Sequence, residues 1–207
     1  MKNFCTFYIV RHGETEWNVK GLIQGQVKES KLTDEGIKQS KLLKEKLKHL
    51  KFDAVYTSDS KRTRKTAQLI ASIKQREIIT TPLLRERSFG KYEGKHNTLL
   101  KKELGHLFKI FEELSDEKKK VYKFPELESD HQMSNRIGSF LTQTYSQHHN
   151  KNVLVITHSG LMRVLLLNLS YSTYSKLSFN AIKNTAYIKL LFNCFEFKIE
   201  EISGITI

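Results

Sequence analysis

Cysteine is scarce in this sequence: Cys5 and Cys194 are the only two among 207 residues. Two thiols so far apart do not make a zinc site, which needs more ligands at closer spacing. So few also fit a reducing compartment. Both stand in apolar, strand-like surroundings and read as small buried hydrophobes. Long apolar runs are missing as well. The N-terminus has one lysine and a short apolar run that stops at Arg11-His12, unlike a secretory leader. Leu161 to Leu169 is broken by Arg163 and Asn168, too soon to span a bilayer. These absences predict a soluble cytoplasmic protein with no membrane association. Proline occurs only twice, and no Pro/Gly linker, internal repeat or low-complexity segment divides the chain, so residues 1–207 read as a single domain.

Acidic residues are in deficit, 22 against 35 Lys and Arg, for a formal charge of +13. The lysines are scattered, and Lys41, Lys44, Lys46, Lys48 and Lys51 have the spacing of a solvated helix face. One tight run, Lys118 to Lys120, directly follows Asp116-Glu117. The basic and aromatic clustering of a nucleic-acid binder is absent. The surplus charge suits the steering of a small anionic substrate, leaning toward multiply charged ones. Nothing in the sequence indicates an oligomeric state.

What is present is a set of short apolar stretches alternating with helical stripes. Phe4 to Val10 is rich in strand-forming residues and ends at Arg11-His12-Gly13. Thr33, followed by Asp34 and Glu35, caps a helix with the apolar stripe Ile37, Leu42, Leu43, Leu47 and Leu50. Phe52 to Thr57 is a second strand. Ser58-Asp59-Ser60 then caps a helix from Lys61 to Ile73, buried through Ala67, Leu69, Ile70 and Ile73. Ile78 to Thr81 is a third strand, leading into a loop that ends at Gly90 and Gly94. Asn97 to Lys123 is mostly helical and fits a lid over the strand ends. Ser129 or Asp130 caps a helix through Met133, Ile137, Phe140 and Leu141. Asn152 to Thr157 is apolar without alternation, the pattern of a central parallel strand covered on both faces. It passes through His158-Ser159-Gly160 into a helix, Leu161 to Leu169. Strands at 185–192 and 195–202 close the chain as a hairpin through Asn193-Cys194. This order predicts an α/β fold of three layers, a mainly parallel sheet flanked by helices, with a helical insertion around residues 97–128.

Ligands of open α/β sheets bind outside the carboxyl ends of the strands. Two strands here end in histidine, His12 and His158. Arg11 adjoins the first, and Arg62 lies in the first turn of a helix that starts at a strand's carboxyl end, where anions are favoured. With Glu86 these residues suit one chemistry. A neutral histidine attacks phosphorus, arginines and a second imidazole hold the phosphoryl oxygens, and a carboxylic acid protonates the leaving oxygen. The cations come from side chains, so neither metal nor cofactor is called for.

Six stretches in order resemble the histidine phosphatase superfamily, the phosphoglycerate mutase-like enzymes. They are Arg11 to Asn18; Gln24-Gly25 with Leu32-Thr33 and Gly36; Thr57-Ser58 through Arg62 to Thr66-Ala67; Leu84 to Gly94; Glu128-Ser129 with Arg136; and Thr157-His158 with Arg163. The resemblance implies that His12 is the nucleophile and that Arg11, Arg62 and His158 bind the phosphoryl oxygens. Asn18 and the Gln24-Gly25 backbone help them, and Glu86 serves as acid, then base. Two departures stand out. Ser159 occupies the usual glycine position after the second histidine, which narrows the pocket or adds a hydroxyl to it. Lys28, Glu29, Ser30 and Lys31 stand where an aspartate and a proline are common. Glu93 and Glu14 stay open as alternatives to Glu86, while the register of Thr57-Ser58 favours Arg62 over Arg64. The other histidines, 49, 96, 106, 131, 148 and 149, read as surface residues, and Trp17 and Tyr92 as packing beside the pocket.

Within the resemblance, Glu86 is followed by Arg87-Ser88-Phe89-Gly90 rather than Arg-His-Tyr-Gly, and the span to His158 is short. Both favour a metal-independent phosphomonoester hydrolase with a phosphohistidine intermediate. A cofactor-dependent phosphoglycerate mutase is the alternative, and a non-catalytic phosphate- or partner-binding module comes third. The expected partner is a small-molecule phosphate ester of unspecified identity.

Overall fold

The alternation of strand and helix signals becomes a layered architecture in the structure, a computed structural model that describes residues 4–27, 30–72 and 77–207. The first half runs β1 (Cys5–Arg11), α1 (Glu16–Val19), α2 (Asp34–Leu47), β2 (Ala54–Thr57), α3 (Lys61–Ala71) and β3 (Ile79–Thr80). Helices α4 (Asn97–Glu113), α5 (Asp116–Val121) and α6 (Asp130–Gln147) follow. The remainder is β4 (Asn152–Thr157), α7 (Ser159–Asn168), β5 (Ile182–Phe192) and β6 (Phe197–Ile205).

The strands form one sheet in the order β3-β2-β4-β1-β5-β6. The first four are mutually parallel, β5 runs antiparallel to β1, and β6 antiparallel to β5. Alternation within β1 shows why two faces are covered. Phe7 and Ile9 pack with Met133, Ile137, Phe140 and Leu161 of α6 and α7. Tyr8 and Val10 pack with Leu43, Leu47, Ala67 and Ile70 of α2 and α3. β4 is buried at every position from Val153 to Thr157, as its unbroken apolar run requires. A smaller cluster of Tyr92, Leu100 and Leu104, with Ile23 and Phe89 against it, joins α4 to the loops after β1 and β3.

Capping follows the sequence. Thr33 accepts from the Gly36 N–H, and Ser129 forms a reciprocal capping box with Gln132. Several expectations need correction. Cys194, expected to be buried, is exposed at φ +69° in the β5–β6 turn, which lies where the hairpin was expected. Leu42 is 61% exposed; the buried stripe of α2 is Gly36, Ser40, Leu43 and Leu47, whose two small members let the helix approach the loop after β1. The stretch after Asn97 is two helices, since Ser115 caps a new one by accepting from the Lys118 N–H. Ser60, not Ser58 or Asp59, is the N-cap of α3, and its side chain makes no cap bond. β3 is shorter than expected and β5 begins three residues earlier. Ile73, Lys28 and Glu29 lie outside the described residues. Among the described residues, no helix is long and apolar enough to cross a membrane.

Candidate active site

Parallel pairing of β1 with β4 sets Val10 opposite Ile156 and Arg11 opposite Thr157. The next residue on each strand is therefore a histidine, and the His12 N–H donates to the Thr157 carbonyl at 3.0 Å. The two rings meet edge-on with centroids 5.3 Å apart. Both are buried. Burial, then the charges of Arg62 and Arg11, hold His12 well below the usual histidine value. His158 is lowered likewise, by burial first and Arg62 second.

The hydrogen bonds assign opposite tautomers to the pair. His12 Nδ1 lies 2.7 Å from the Gly13 carbonyl, which can only accept, so Nδ1 carries the proton and Nε2 a lone pair. His158 Nδ1 lies 3.3 Å from Nη2 of Arg62, which can only donate, so its proton sits on Nε2. That Nε2 is buried and has no partner among the described residues. One imidazole offers a nucleophilic nitrogen and the other a hydrogen-bond donor.

Arg62 reaches the site from the first turn of α3. Its Nη1 donates to the Val27 carbonyl at 2.7 Å and its Nη2 to the Gly25 carbonyl at 2.8 Å. Arg11, the last residue of β1, donates from Nη1 to the Ile182 carbonyl at 2.5 Å. In both arginines Nε is buried without a partner among the described residues, as is the Gln24 Oε1. Buried donors left unpaired are costly, and here there are three, the Nε–H groups of Arg11 and Arg62 and the His158 Nε2–H, all on residues that bear on His12. Burial lowers both guanidinium values, Arg62 to about 10, while the Glu86 carboxylate opposes the shift in each. Glu86 is thus close enough to sense both cations.

Glu86 is held by both of its oxygens. Oε1 accepts from the Arg87 N–H at 2.8 Å, and Oε2 from the Gly160 N–H at 3.0 Å and the Ser159 hydroxyl at 3.4 Å. The hydroxyl that replaces the usual glycine therefore bonds the carboxylate. Glu14 is elsewhere, accepting from Thr33. Glu93 accepts from the Gln26 and Phe89 N–H groups and ties two site loops together. Asn18 commits its carboxamide oxygen to the capping box with Thr15, which leaves its amide nitrogen for a ligand. The Gly25 carbonyl is bonded to Arg62, and its φ of +47°, with Glu93 packed where a Cβ would go, accounts for the glycine.

The model of the histidine phosphatase superfamily, branch 1, matches residues 7–203. The chain belongs to that superfamily. This histidine phosphatase is 34% identical over 185 residues to the metal-independent phosphoserine phosphatase of Arabidopsis thaliana, an alignment covering 87% of this chain and 75% of the relative. It is 32% identical over 179 residues to phosphoserine phosphatase 1 of Hydrogenobacter thermophilus, covering 86% and 82%. Among solved structures, a phosphoserine phosphatase from Entamoeba histolytica superposes with a TM-score of 0.77 at 27% identity, covering 96% of both chains. As a histidine phosphatase the chain is an enzyme acting on phosphate esters.

The site thus gathers His12, His158, Arg11, Arg62, Glu86 and Ser159, with Asn18 in α1 and Gln24 and Gly25 on the loop that follows it. Two further residues, to which the sequence reading gave no role, support the site. Asn184 donates to the His12 carbonyl at 3.1 Å, from a segment with no motif of its own. Arg136 grips both oxygens of Glu128 and donates to the carbonyls of Leu83, Arg85 and Glu86, so it fixes the acid's loop. Its place in a family motif was the available signal. Among the described residues, no group of three or more His, Cys, Asp or Glu is arranged to hold a metal ion.

Proposed function

We propose that this enzyme is a metal-independent phosphomonoester hydrolase that forms a phosphohistidine on His12, with small amino-acid-like esters such as O-phosphoserine as its first candidate substrates. The opposed tautomers of His12 and His158 carry this reading. Nε2 of His12 attacks phosphorus as the bond from phosphorus to the ester oxygen breaks. The departing oxygen takes its proton from the carboxylic acid form of Glu86. Arg11, Arg62 and the Nε2–H of His158 meet the charge on the equatorial oxygens, a role that cations and fixed donors fill without a metal. Water then gives a proton to the Glu86 carboxylate and attacks phosphorus, breaking the P–N bond and releasing orthophosphate. The phosphoserine phosphatase relatives support the substrate class. The excess of basic residues favours its anionic character.

Phosphate release from O-phosphoserine and a panel of other monoesters, with EDTA present, tests this. Wild type should turn over, and His12→Ala should lose about a thousandfold or more. An acid-labile, base-stable phosphoprotein should form in wild type alone. Equal rates in the two proteins would sink the proposal. Interconversion of 3- and 2-phosphoglycerate in place of release would return the mutase reading.

A further inference from the structure

Behind the loop that carries Glu86 lies a second recess, of about 370 Å³, between α4, α5 and the segment joining α7 to β5. Its walls are the rings of Phe108, Phe111, Tyr174 and Phe179 with the cationic side chains of Lys119 and Arg163. A narrow inner end continues to Arg87, Phe89 and Leu127. His12, Arg62, Glu86 and His158 do not line it. The size, and a lining in which four aromatic rings alternate with charged and hydroxyl side chains, suit a small molecule with one apolar and one polar end.

Lys119 is the telling residue. It is 9% exposed, and its Nζ meets only the faces of Phe111 and Tyr174, 5.8 and 6.0 Å from their centroids, with no hydrogen bond or ion pair among the described residues. Its stem packs against the two rings, while the ammonium, without a counter-ion among the described residues, still meets solvent and is open to an anion. Arg163 is also buried, its guanidinium 4.4 Å from the Phe179 centroid and 5.2 Å from that of Tyr174. Its nearest carboxylate, Asp130, stands 3.9 Å away and is shared with Arg87 and the Tyr174 hydroxyl. The other lining carboxylate, Glu112, sits at the exposed rim. The lining therefore combines flat apolar faces with one ammonium that lacks an anion.

We propose that this recess is a second ligand site, distinct from the phosphoryl pocket, for a small aromatic molecule bearing one anionic group such as a carboxylate. The anion pairs with Lys119, and the ring stacks among Phe108, Tyr174 and Phe179.

Titration of the full chain with 2-naphthoate, followed by calorimetry and ligand-observed NMR, tests the site. One molecule should bind saturably. Affinity should fall about tenfold or more in Lys119→Met and for the neutral analogue 2-naphthalenemethanol. It should be unchanged in His12→Ala and in the presence of orthovanadate. Should Lys119→Met not fold, Phe179→Ala, which alters an exposed ring, carries the test through the same loss of affinity. Absence of saturable binding up to about 10 mM, or full affinity in both variants, would overturn the proposal. So would displacement by vanadate, which would place the probe in the phosphoryl pocket.

Discussion

His158 links the pH response of this protein to its site. The unfolded chain takes up a proton at this residue below about pH 6.5, whereas burial and Arg62 keep the native imidazole neutral to lower pH. The native state therefore has its full stability from this group above pH 6.5 and loses it as the pH falls toward the lowered native value. The slope is up to about 1.4 kcal/mol per pH unit over that window. Urea midpoints measured from pH 7 to 5 should decline less steeply in His158→Asn than in wild type. Parallel slopes would show that His158 is protonated alike in both states.

Arg136 makes the opposite kind of contribution, as a cation whose every partner is described. Removing it in Arg136→Ala leaves the half-buried Glu128 carboxylate without its cation and the carbonyls of Leu83 and Arg85 without a donor. A loss of about 3 kcal/mol follows, along with a fall in kcat as Glu86 shifts. Arg136→Lys should recover part of the stability, yet little of kcat, because an ammonium cannot reproduce the planar fork. Full recovery of kcat by lysine would show that charge alone places the acid.

At the scale of elements, two glycines separate packing from catalysis. A Cβ on Gly36 would sit 2.1 Å from the backbone carbonyl oxygen of Glu14, which the loop after β1 cannot withdraw. A Cβ on Gly160 would sit 2.2 Å from the Glu86 side chain, which can swing away. Gly36→Ala should therefore cost about 1–3 kcal/mol of stability. Gly160→Ala should keep its melting temperature and lose about 100-fold in rate by misplacing the acid. Thermal melts beside initial rates would distinguish them, and the reversed pattern would refute the assignment.

The same scale shows what could be read from sequence. His12 and His158 were legible because each ends an apolar run, and parallel pairing brings the ends of such runs together. Arg62 was legible from its place in the first turn of a helix. Glu86 rested on motif register, since β3 is only two residues long and its loop carries no periodic signal. Asn184 was hidden because it looks like a turn residue, although it lies inside β5, next to Thr185 at φ +57°. Leu42 misled because periodicity favours large apolar residues, while the buried face of α2 is set by how closely Gly36 and Ser40 let it approach. The turn at Asn193-Cys194 was legible, but Cys194 misled because its apolar neighbours suggest burial while a hairpin turn exposes its residues.

For the molecule as a whole, every parallel strand contributes from its carboxyl end. β1 gives Arg11 and His12, β2 leads to Arg62, β3 to Glu86 and β4 to His158. The site is thus a property of the sheet, and damage at the β6 edge, the one away from β3 and the Glu86 loop, should spare it. β6 is the outer strand, bulged near Glu200 and carrying Lys198, Glu200 and Glu201, features that discourage pairing with another sheet.

The central position of β1 also matters while the chain is being made. Its two neighbours are β4 and β5, encoded far downstream. At about 5–20 residues per second, a ribosome needs on the order of ten seconds to deliver residues 152–157 after β1 has emerged. Throughout that interval Phe7, Ile9 and the other apolar residues of β1 have no strand to join, a nascent segment suited to capture by a chaperone.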